Sequence, residues 1–217
     1  KKKKITHEES QTVMSAFLEK GHDAYSCDLL PASGNYPSRH LQMDYLKAIK
    51  KIKPDFLGMH PECTRLTVAA NKYYKPEYAE RFPNIQQDRL NAVSHFFNCV
   101  IALKEVGTGY IENPIGIMSR LYKKPTQIIQ PYEYGHTERK STCLWLEGLS
   151  KLMPTEIVEP NIIVHKSGRT DSKLHFETLK LPKEERRKAR SKTFKGIAEA
   201  MAKQWTEYNI NDAKLEL

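Results

Sequence analysis

Long apolar runs are missing from this sequence. No stretch of the 217 residues approaches the ~20 consecutive apolar residues that a membrane-spanning helix needs, so we expect no membrane partner. The lysines at positions 1–4 are followed by no apolar core region, which predicts the absence of a secretory signal peptide. Together these two absences favour a cytoplasmic protein.

Paired cysteines are missing as well. The four cysteines stand singly, and no Cys-x-x-Cys spacing of the kind found in zinc sites or disulfide scaffolds occurs. His60 and Cys63 have a zinc-like spacing, but no second pair of ligands follows, so no bound metal is predicted. We expect free thiols in a reducing compartment, with Cys27, Cys99 and Cys143 packed inside apolar segments.

Positive charge, in contrast, is abundant. The net charge is +9, and the basic excess is concentrated at lysines 1–4 and at residues 183–192, where six basic residues stand against two acidic ones. Such a balance is compatible with a polyanionic partner, of which nucleic acid is the commonest. It is equally compatible with a solubilising surface.

Strand-like and helix-like segments alternate along the chain, and residues 151–190 look irregular. We predict strands at about 5–7, 24–30, 55–59, 109–113, 127–132 and 142–148, and helices at 11–21, 42–52, 85–104 and 194–205. This alternation predicts an α/β fold with a mostly parallel sheet and helices on both faces. Ligands of such sheets bind beyond the carboxyl ends of the strands. The residues to consider are therefore the loop after His7, Asp28, Cys63 and Glu112-Asn113-Pro114.

Four motifs give these strand ends a family resemblance. In family order they are 61-PEC-63, 112-ENP-114, 134-YGHTERKSTCLW-145 and 193-TFKGIAEAMAKQW-205. Over about residues 5–205 the chain resembles the C5-cytosine DNA methyltransferases, most closely the short versions encoded by bacteriophages. The resemblance implies a Rossmann-like class I methyltransferase fold, S-adenosylmethionine as cofactor, DNA as substrate and a phage or prophage origin in a bacterial cytoplasm.

The resemblance also implies catalytic roles. Cys63 corresponds to the nucleophile, whose thiolate adds to carbon 6 of cytosine so that carbon 5 can attack the methyl donor. Glu112 corresponds to the acid that hydrogen-bonds ring nitrogen 3, and Asn113 would orient its loop. The carboxylate of Glu62 should make the thiol less reactive. A helix dipole and the cations of Lys140 and Arg139 would offset it if they face the site.

The cofactor side follows the family less closely. The loop 7-HEESQT-12 stands where the family has a glycine-rich turn, and Glu62 replaces the second proline of the nucleophile motif. Glu138, Lys140 and Thr142 replace a glutamine and two arginines. The aspartates that would bond the ribose and the adenine, Asp28 and Asp44, are also plausible helix caps. The predicted cofactor-binding set is Glu9, Ser10, Gln11, Thr12, Asp28, Asp44 and Pro61.

The larger enzymes carry a target-recognition domain where this chain has only about forty residues, 151–190. We therefore divide the chain into an α/β core (1–150), this short insertion, and a helix that returns to the core (191–217). Sequence specificity should be low, or a partner protein supplies it. Arg139, Arg186, Arg187 and Arg190 are predicted to contact DNA phosphates. The alternative for residues 183–192 is a solvated helix face.

Three functions remain open at this point. The first is cytosine C5 methylation of DNA. The second is modification of a free cytosine nucleotide or a modified base, and the third is DNA binding by a relative that has lost catalysis.

Overall fold

A seven-stranded mixed sheet lies at the centre of the structure. It is seen in a computed structural model that describes the backbone of residues 2–215 and the side chains of residues 2–182 and 184–206. The strands are β1 (Lys2–Thr6), β2 (Asp23–Asp28), β3 (His40–Gln42), β4 (Phe56–Met59), β5 (Gly109–Pro114), β6 (Gln127–Ile129) and β7 (Thr142–Glu147). Their order is β3-β2-β1-β4-β5-β7-β6. Strands β1 to β5 are parallel, and β7 runs antiparallel to both of its neighbours. The predicted α/β fold with a mostly parallel sheet is confirmed, and the sheet is consistent with a Rossmann-like fold.

Helices cover both faces of this sheet. They are α1 (Thr12–Glu19), α2 (Tyr45–Ile52), α3 (Ile85–Val106), the short α4 (Met118–Leu121) and, at the end of the chain, α7 (Lys195–Leu215). One core cluster joins α1 and α7 to the sheet, and a second joins α2 and α3 to the other face. Within residues 2–215 no helix has the length and apolar character needed to cross a bilayer.

The last helix returns to the core as predicted. The Trp205 ring packs against Tyr110 and Phe56, with centroids 5.1 and 6.1 Å away. Its indole N–H donates to the Ser150 carbonyl at 3.0 Å. An apolar stripe on α7 therefore closes the sheet face that α1 leaves open.

The prediction that residues 151–190 are irregular is wrong. They contain a two-stranded antiparallel sheet, β8 (Ile162–Val164) and β9 (Thr170–Ser172), followed by α5 (Lys173–Thr178) and most of α6 (Lys183–Ser191). The strands have only three residues each, and α6 carries almost no apolar side chains. Neither feature gives a hydrophobic period that a sequence pattern can detect.

The start of the chain also differs from expectation. Strand β1 begins at Lys2, three residues before the predicted strand, and the side chains of Lys3 and Lys4 are buried rather than part of the surface charge. The Lys3 ammonium lies 4.2 Å from the Phe56 ring centroid. The Lys4 Nζ atom has no hydrogen-bond partner among the described residues, and burial lowers the pKa of Lys4 to about 8. A lysine in this setting destabilises the central strand.

Replacing Lys4 with methionine should therefore stabilise the protein. The pKa of Lys4 falls from 10.5 to about 8 on folding, so the unfolded chain binds the proton more tightly and the penalty is complete below pH 8. We expect Lys4→Met to raise the free energy of unfolding by roughly 3 kcal/mol at pH 7. The gain should shrink as the pH rises from 8 towards 10.5. Denaturant unfolding at several pH values measures it.

The exposed neighbour Lys2 provides the control. Lys2→Met removes the same charge from the same strand, and the Lys2 side chain lies in solvent. We expect it to change the free energy of unfolding by less than about 0.5 kcal/mol. Equal effects of the two substitutions would contradict the burial of Lys4.

Candidate active site

One large cavity, about 1450 Å³ in volume, opens at the carboxyl ends of β1, β2, β4 and β5. Twelve of the residues selected from the sequence line it: Glu9, Ser10, Thr12, Asp28, Pro61, Cys63, Glu112, Asn113, Arg139, Lys140, Arg187 and Arg190. Gln11, Asp44 and Arg186 do not line it. The strand-end rule thus brings most of the predicted residues to one place.

The motifs predicted to hold the nucleophile, Cys63, and the acid, Glu112, lie at the ends of adjacent strands. β4 and β5 pair in parallel, so the loop of Cys63 and the residue Glu112 lie at the same edge of the sheet. The buried Asn113 side chain donates from Nδ2 to the Pro61 carbonyl at 2.9 Å, and this bond ties the two motifs together. Asn113 therefore fixes the position of the Cys63 loop relative to Glu112.

The thiol of Cys63 is not activated in this state. Burial raises its pKa to about 11, and the charge of Glu112 adds to the effect while Lys140 opposes it and Glu62 adds less. Lys140 lowers this pKa by more than Glu62 raises it, as the predicted offset of Glu62 requires, but burial and the charge of Glu112 outweigh Lys140. The predicted contribution of a helix dipole is not found either. Among the described residues, the first helical segment after Cys63 is a short 3-10 helix from Val68 to Tyr74, and no α-helix starts directly after the thiol.

Lys140 connects the cavity to the segment before α7. Its Nζ atom donates to the Lys192 carbonyl at 3.4 Å and lies 5.8 Å from the Phe194 ring centroid. Its backbone N–H donates to Gln130 Oε1 at 3.1 Å. These contacts hold the Lys140 ammonium at the cavity wall near Cys63. The sequence analysis predicted Lys140 to be one of the catalytic residues.

The loop after β1 is held by a buried glutamine. Gln11 has a left-handed backbone with φ of 58°. Its amide Nε2 donates to Ser26 Oγ at 3.0 Å and to the Tyr36 carbonyl at 2.7 Å, and its Oε1 accepts from the Tyr36 N–H at 2.9 Å. Gln11, predicted to bind cofactor, therefore has a structural role. The Ser10 and Thr12 hydroxyls, 3.1 Å apart, remain at the cavity.

Glu8 is a site residue that sequence reasoning did not single out. Its two carboxylate oxygens accept the N–H groups of Val13 and Met14, at 2.6 and 3.2 Å, at the start of α1. The N-terminus of the first helix is the position at which Rossmann-like folds bind anionic groups. Burial raises the pKa of Glu8 to about 7 despite these bonds. A carboxyl group of the chain itself thus occupies the position where a ligand's anionic group would bind.

The two predicted aspartates have different positions. Asp28 lies at the cavity, and its Oδ1 accepts the Leu30 N–H at 3.0 Å. Asp44 caps α2 instead, accepting the N–H groups of Leu46 and Lys47 at 3.0 and 3.1 Å. The helix-cap alternative therefore applies to Asp44, while the second carboxylate oxygen of Asp28 has no hydrogen-bond partner among the described residues.

The cavity has an acidic side and a basic side. Glu9, Glu19 and Asp28 line the part formed by α1 and the loops after β1 and β2. The part formed by the 139–140 loop and by α6 with its flanking residues is basic, and it is lined by Arg139, Lys140, Arg187, Lys188, Arg190 and Lys192. Cys63 and Glu112 come from the strands between them. One cavity can therefore take a cationic group on one side and phosphates on the other.

Two arginines of α6, Arg187 and Arg190, line the basic side of the cavity, and they differ in how firmly other residues hold their side chains. Arg190 donates from Nε to Thr178 Oγ1 at 2.7 Å and from a terminal nitrogen to the His175 carbonyl at 2.8 Å, so it fastens α6 to α5. Within the part of the chain that the structure describes, Arg187 pairs with the exposed Glu184 of the same helix, at 3.1 Å, and with no other acidic residue. Arg187 is thus the better candidate for a phosphate contact.

Comparison with known proteins adds nothing to this picture. No family model matches the sequence, and no curated protein shows significant similarity to it. The resemblance to the cytosine methyltransferases therefore stays a hypothesis.

Proposed function

We propose that the protein transfers a methyl group from S-adenosylmethionine to carbon 5 of cytosine in DNA. The observation that carries the proposal is the cavity itself, which holds Cys63 and Glu112 between an acidic side and a basic side. A thiol and a carboxyl group are the pair that this reaction needs. The sheet order, with the reversed strand β7 between β5 and β6, also agrees with a class I methyltransferase fold.

The acidic side suits the methyl donor. S-adenosylmethionine, when bound, supplies an electrophilic methyl group on a positively charged sulfur. Glu9 and Glu19 would attract its cationic groups, and Asp28 has an oxygen free for ribose hydroxyls. Because Glu8 already occupies the start of α1, the hydroxyls of Ser10 and Thr12 are the groups left to bind the methionine carboxylate.

Cytosine itself would activate the nucleophile. The charge of Glu112 contributes to the raised pKa of Cys63, so pairing of Glu112 with ring nitrogen 3 removes part of that effect. The Cys63 thiol would then release its proton to solvent, and its sulfur would form a bond to carbon 6 while Glu112 stabilises the charge on the ring. Carbon 5 would take the methyl group, leaving S-adenosylhomocysteine, and loss of the carbon 5 proton to solvent would break the carbon–sulfur bond and free the thiolate. The target base has to leave the duplex stack to enter the cavity.

Free nucleotide is the second candidate substrate. The segment β9-α5-α6 lines the same cavity as Cys63, so a single nucleotide phosphate could meet Arg187 and Lys188 without a duplex. Assays with tritiated methyl donor should compare duplex DNA, single-stranded DNA, dCMP and dCTP. We expect label on C5 of cytosine in DNA. Label on nucleotide alone would move the proposal to the second substrate, and calorimetry without any binding of the donor would favour a non-catalytic DNA-binding protein.

The basic side of the cavity should make the affinity for DNA depend on salt concentration. The double variant Arg187→Ala/Lys188→Ala removes two cavity-lining cations without touching Arg190. Each lost phosphate contact lowers the slope of log affinity against log salt by roughly 0.9, so we expect the slope to fall by about 1.8 on duplex DNA. Fluorescence anisotropy at several salt concentrations measures it.

The pair Lys47→Ala/Lys50→Ala on α2 is the matched control. It removes the same charge from an exposed surface away from the cavity. Its slope should remain close to that of the wild type. If both double variants lower the slope equally, the net charge of the protein attracts the DNA, and Arg187 and Lys188 make no specific phosphate contact.

A further inference from the structure

A second cluster of reactive side chains lies between β1 and α3. His7 follows β1, and His95 and Cys99 are four residues apart on α3, so they project from one face of the helix. One ligand atom from each of these three residues lies within 4.8 Å of the other two. The sequence did not show this cluster, because it joins residues almost ninety positions apart and contains no Cys-x-x-Cys pair.

The spacing within the cluster fits a tetrahedral metal ion. The Nε2 atoms of His7 and His95 are 3.1 Å apart. In a zinc site with Zn–N bonds of ~2.0–2.1 Å, two ligand nitrogens lie about 3.4 Å apart. A small outward movement of the two rings would therefore admit an ion. Without an ion, the same distance fits a hydrogen bond between two neutral imidazoles, which is the alternative.

The surroundings orient the ligands. The His7 Nδ1 atom is hydrogen-bonded to Thr6 Oγ1 at 3.0 Å, an arrangement that fixes the ring and leaves Nε2 available, as metal sites require. Tyr45 packs its ring against His7 and His95, with centroids 4.9 and 5.2 Å away. The buried Tyr45 hydroxyl has no hydrogen-bond partner among the described residues, and burial together with the nearby Cys99 thiol raises its pKa.

We propose that His7, His95 and Cys99 bind a zinc-class divalent cation, with the Tyr45 oxygen or a water molecule in the fourth position. Two imidazoles and a thiolate are a donor set that zinc prefers, and the Cys99 thiol releases its proton to solvent on binding. The ion would tie α3 to the loop after β1, which lines the large cavity through His7 and Glu9. This site does not depend on the methyl-transfer proposal.

Cobalt provides a direct test, because a Co²⁺ ion in a thiolate-containing tetrahedral site has strong visible bands and a near-ultraviolet charge-transfer band. Chelator-treated full-length protein is titrated with Co²⁺ and then with Zn²⁺. We expect saturation at one cobalt per chain, loss of the bands on addition of zinc, and a thermal midpoint several degrees higher with zinc. Cys99→Ala should remove the charge-transfer band, and His95→Gln should weaken cobalt binding by on the order of 100-fold.

Matched variants show whether Cys99 or another cysteine binds the cobalt. Cys143→Ala removes a buried cysteine from the same face of the sheet and should leave the cobalt spectrum unchanged. Circular dichroism confirms that each variant is folded, and half-buried His95 keeps the test valid if Cys99→Ala fails to fold. A wild-type protein without tetrahedral cobalt bands overturns the proposal. So does a band that survives in Cys99→Ala and disappears in Cys63→Ala.

Discussion

Substitution of Cys63 by alanine is expected to abolish methyl transfer, lowering the rate by on the order of 10³-fold or more. Among the residues that the structure describes, the half-buried Cys63 is the only cysteine that lines the cavity, and the other three are buried elsewhere. Without the sulfur, carbon 5 of cytosine cannot become a nucleophile. Transfer of a tritiated methyl group to DNA measures the rate, and an unchanged thermal midpoint would show that the loss is chemical.

A covalent trap makes the same prediction more specific. DNA that carries 5-fluorocytosine cannot lose a proton from carbon 5, so the carbon–sulfur bond should persist and hold protein and DNA together in denaturing gels. The wild type and Cys143→Ala should form this adduct, and Cys63→Ala should not. Methylation that persists in Cys63→Ala would remove the thiol from the mechanism altogether.

Much of the fold can be predicted from the sequence because most of its strands and helices have the periods of buried elements. The runs 55–59 and 142–148 have apolar centres at 56–59 and 143–146, as buried strands do, and β4 and β7 each lie within one residue of the predicted limits. Gly107, with φ of 79°, ends α3 just past the predicted limit at residue 104. Local patterns are sufficient where local and tertiary preferences agree.

Other parts of the fold could not be predicted. Lys3 and Lys4 are charged residues, which a sequence pattern assigns to the surface rather than to a central strand. They are buried because β1 pairs with β2 on one side and with β4 on the other. The helix α6 has no apolar stripe and is fastened through Arg190 to a carbonyl and a hydroxyl of α5. Such contacts depend on tertiary packing rather than on a sequence period.

The site shows the same division. Cys63, Glu112 and Asp28 were predicted because a parallel sheet brings its strand ends together, and that rule needs only the order of elements. Gln11 and Asp44 were selected by position along the chain, but their side chains serve the loop after β1 and the start of α2. Glu8 and His95 act through partners that no local pattern identifies.

Replacement of Glu112 by glutamine separates the proposed contact with the base from the effect of the Glu112 charge on the Cys63 thiol. Glutamine has nearly the same shape but cannot carry the proton or charge that stabilises the ring, so methyl transfer should fall by roughly 10²-fold. The same change removes a charge that helps to raise the pKa of Cys63 to about 11. The free thiol should therefore become more reactive while the enzyme becomes slower.

Alkylation by iodoacetamide measures the second effect. Since the pKa of Cys63 is about 11, the wild-type rate should rise about tenfold per pH unit between pH 8 and 10, because the thiolate is the reactive form. In Glu112→Gln the same curve should move to lower pH. Glu62→Gln is the matched control, because Glu62 also raises this pKa, though less, and has no proposed contact with the base. It should shift alkylation slightly and cost far less methyl transfer. Parallel losses of alkylation and methyl transfer in Glu112→Gln would mean that the substitution has distorted the Cys63 loop, and the charge coupling between Glu112 and the thiol would have to be abandoned.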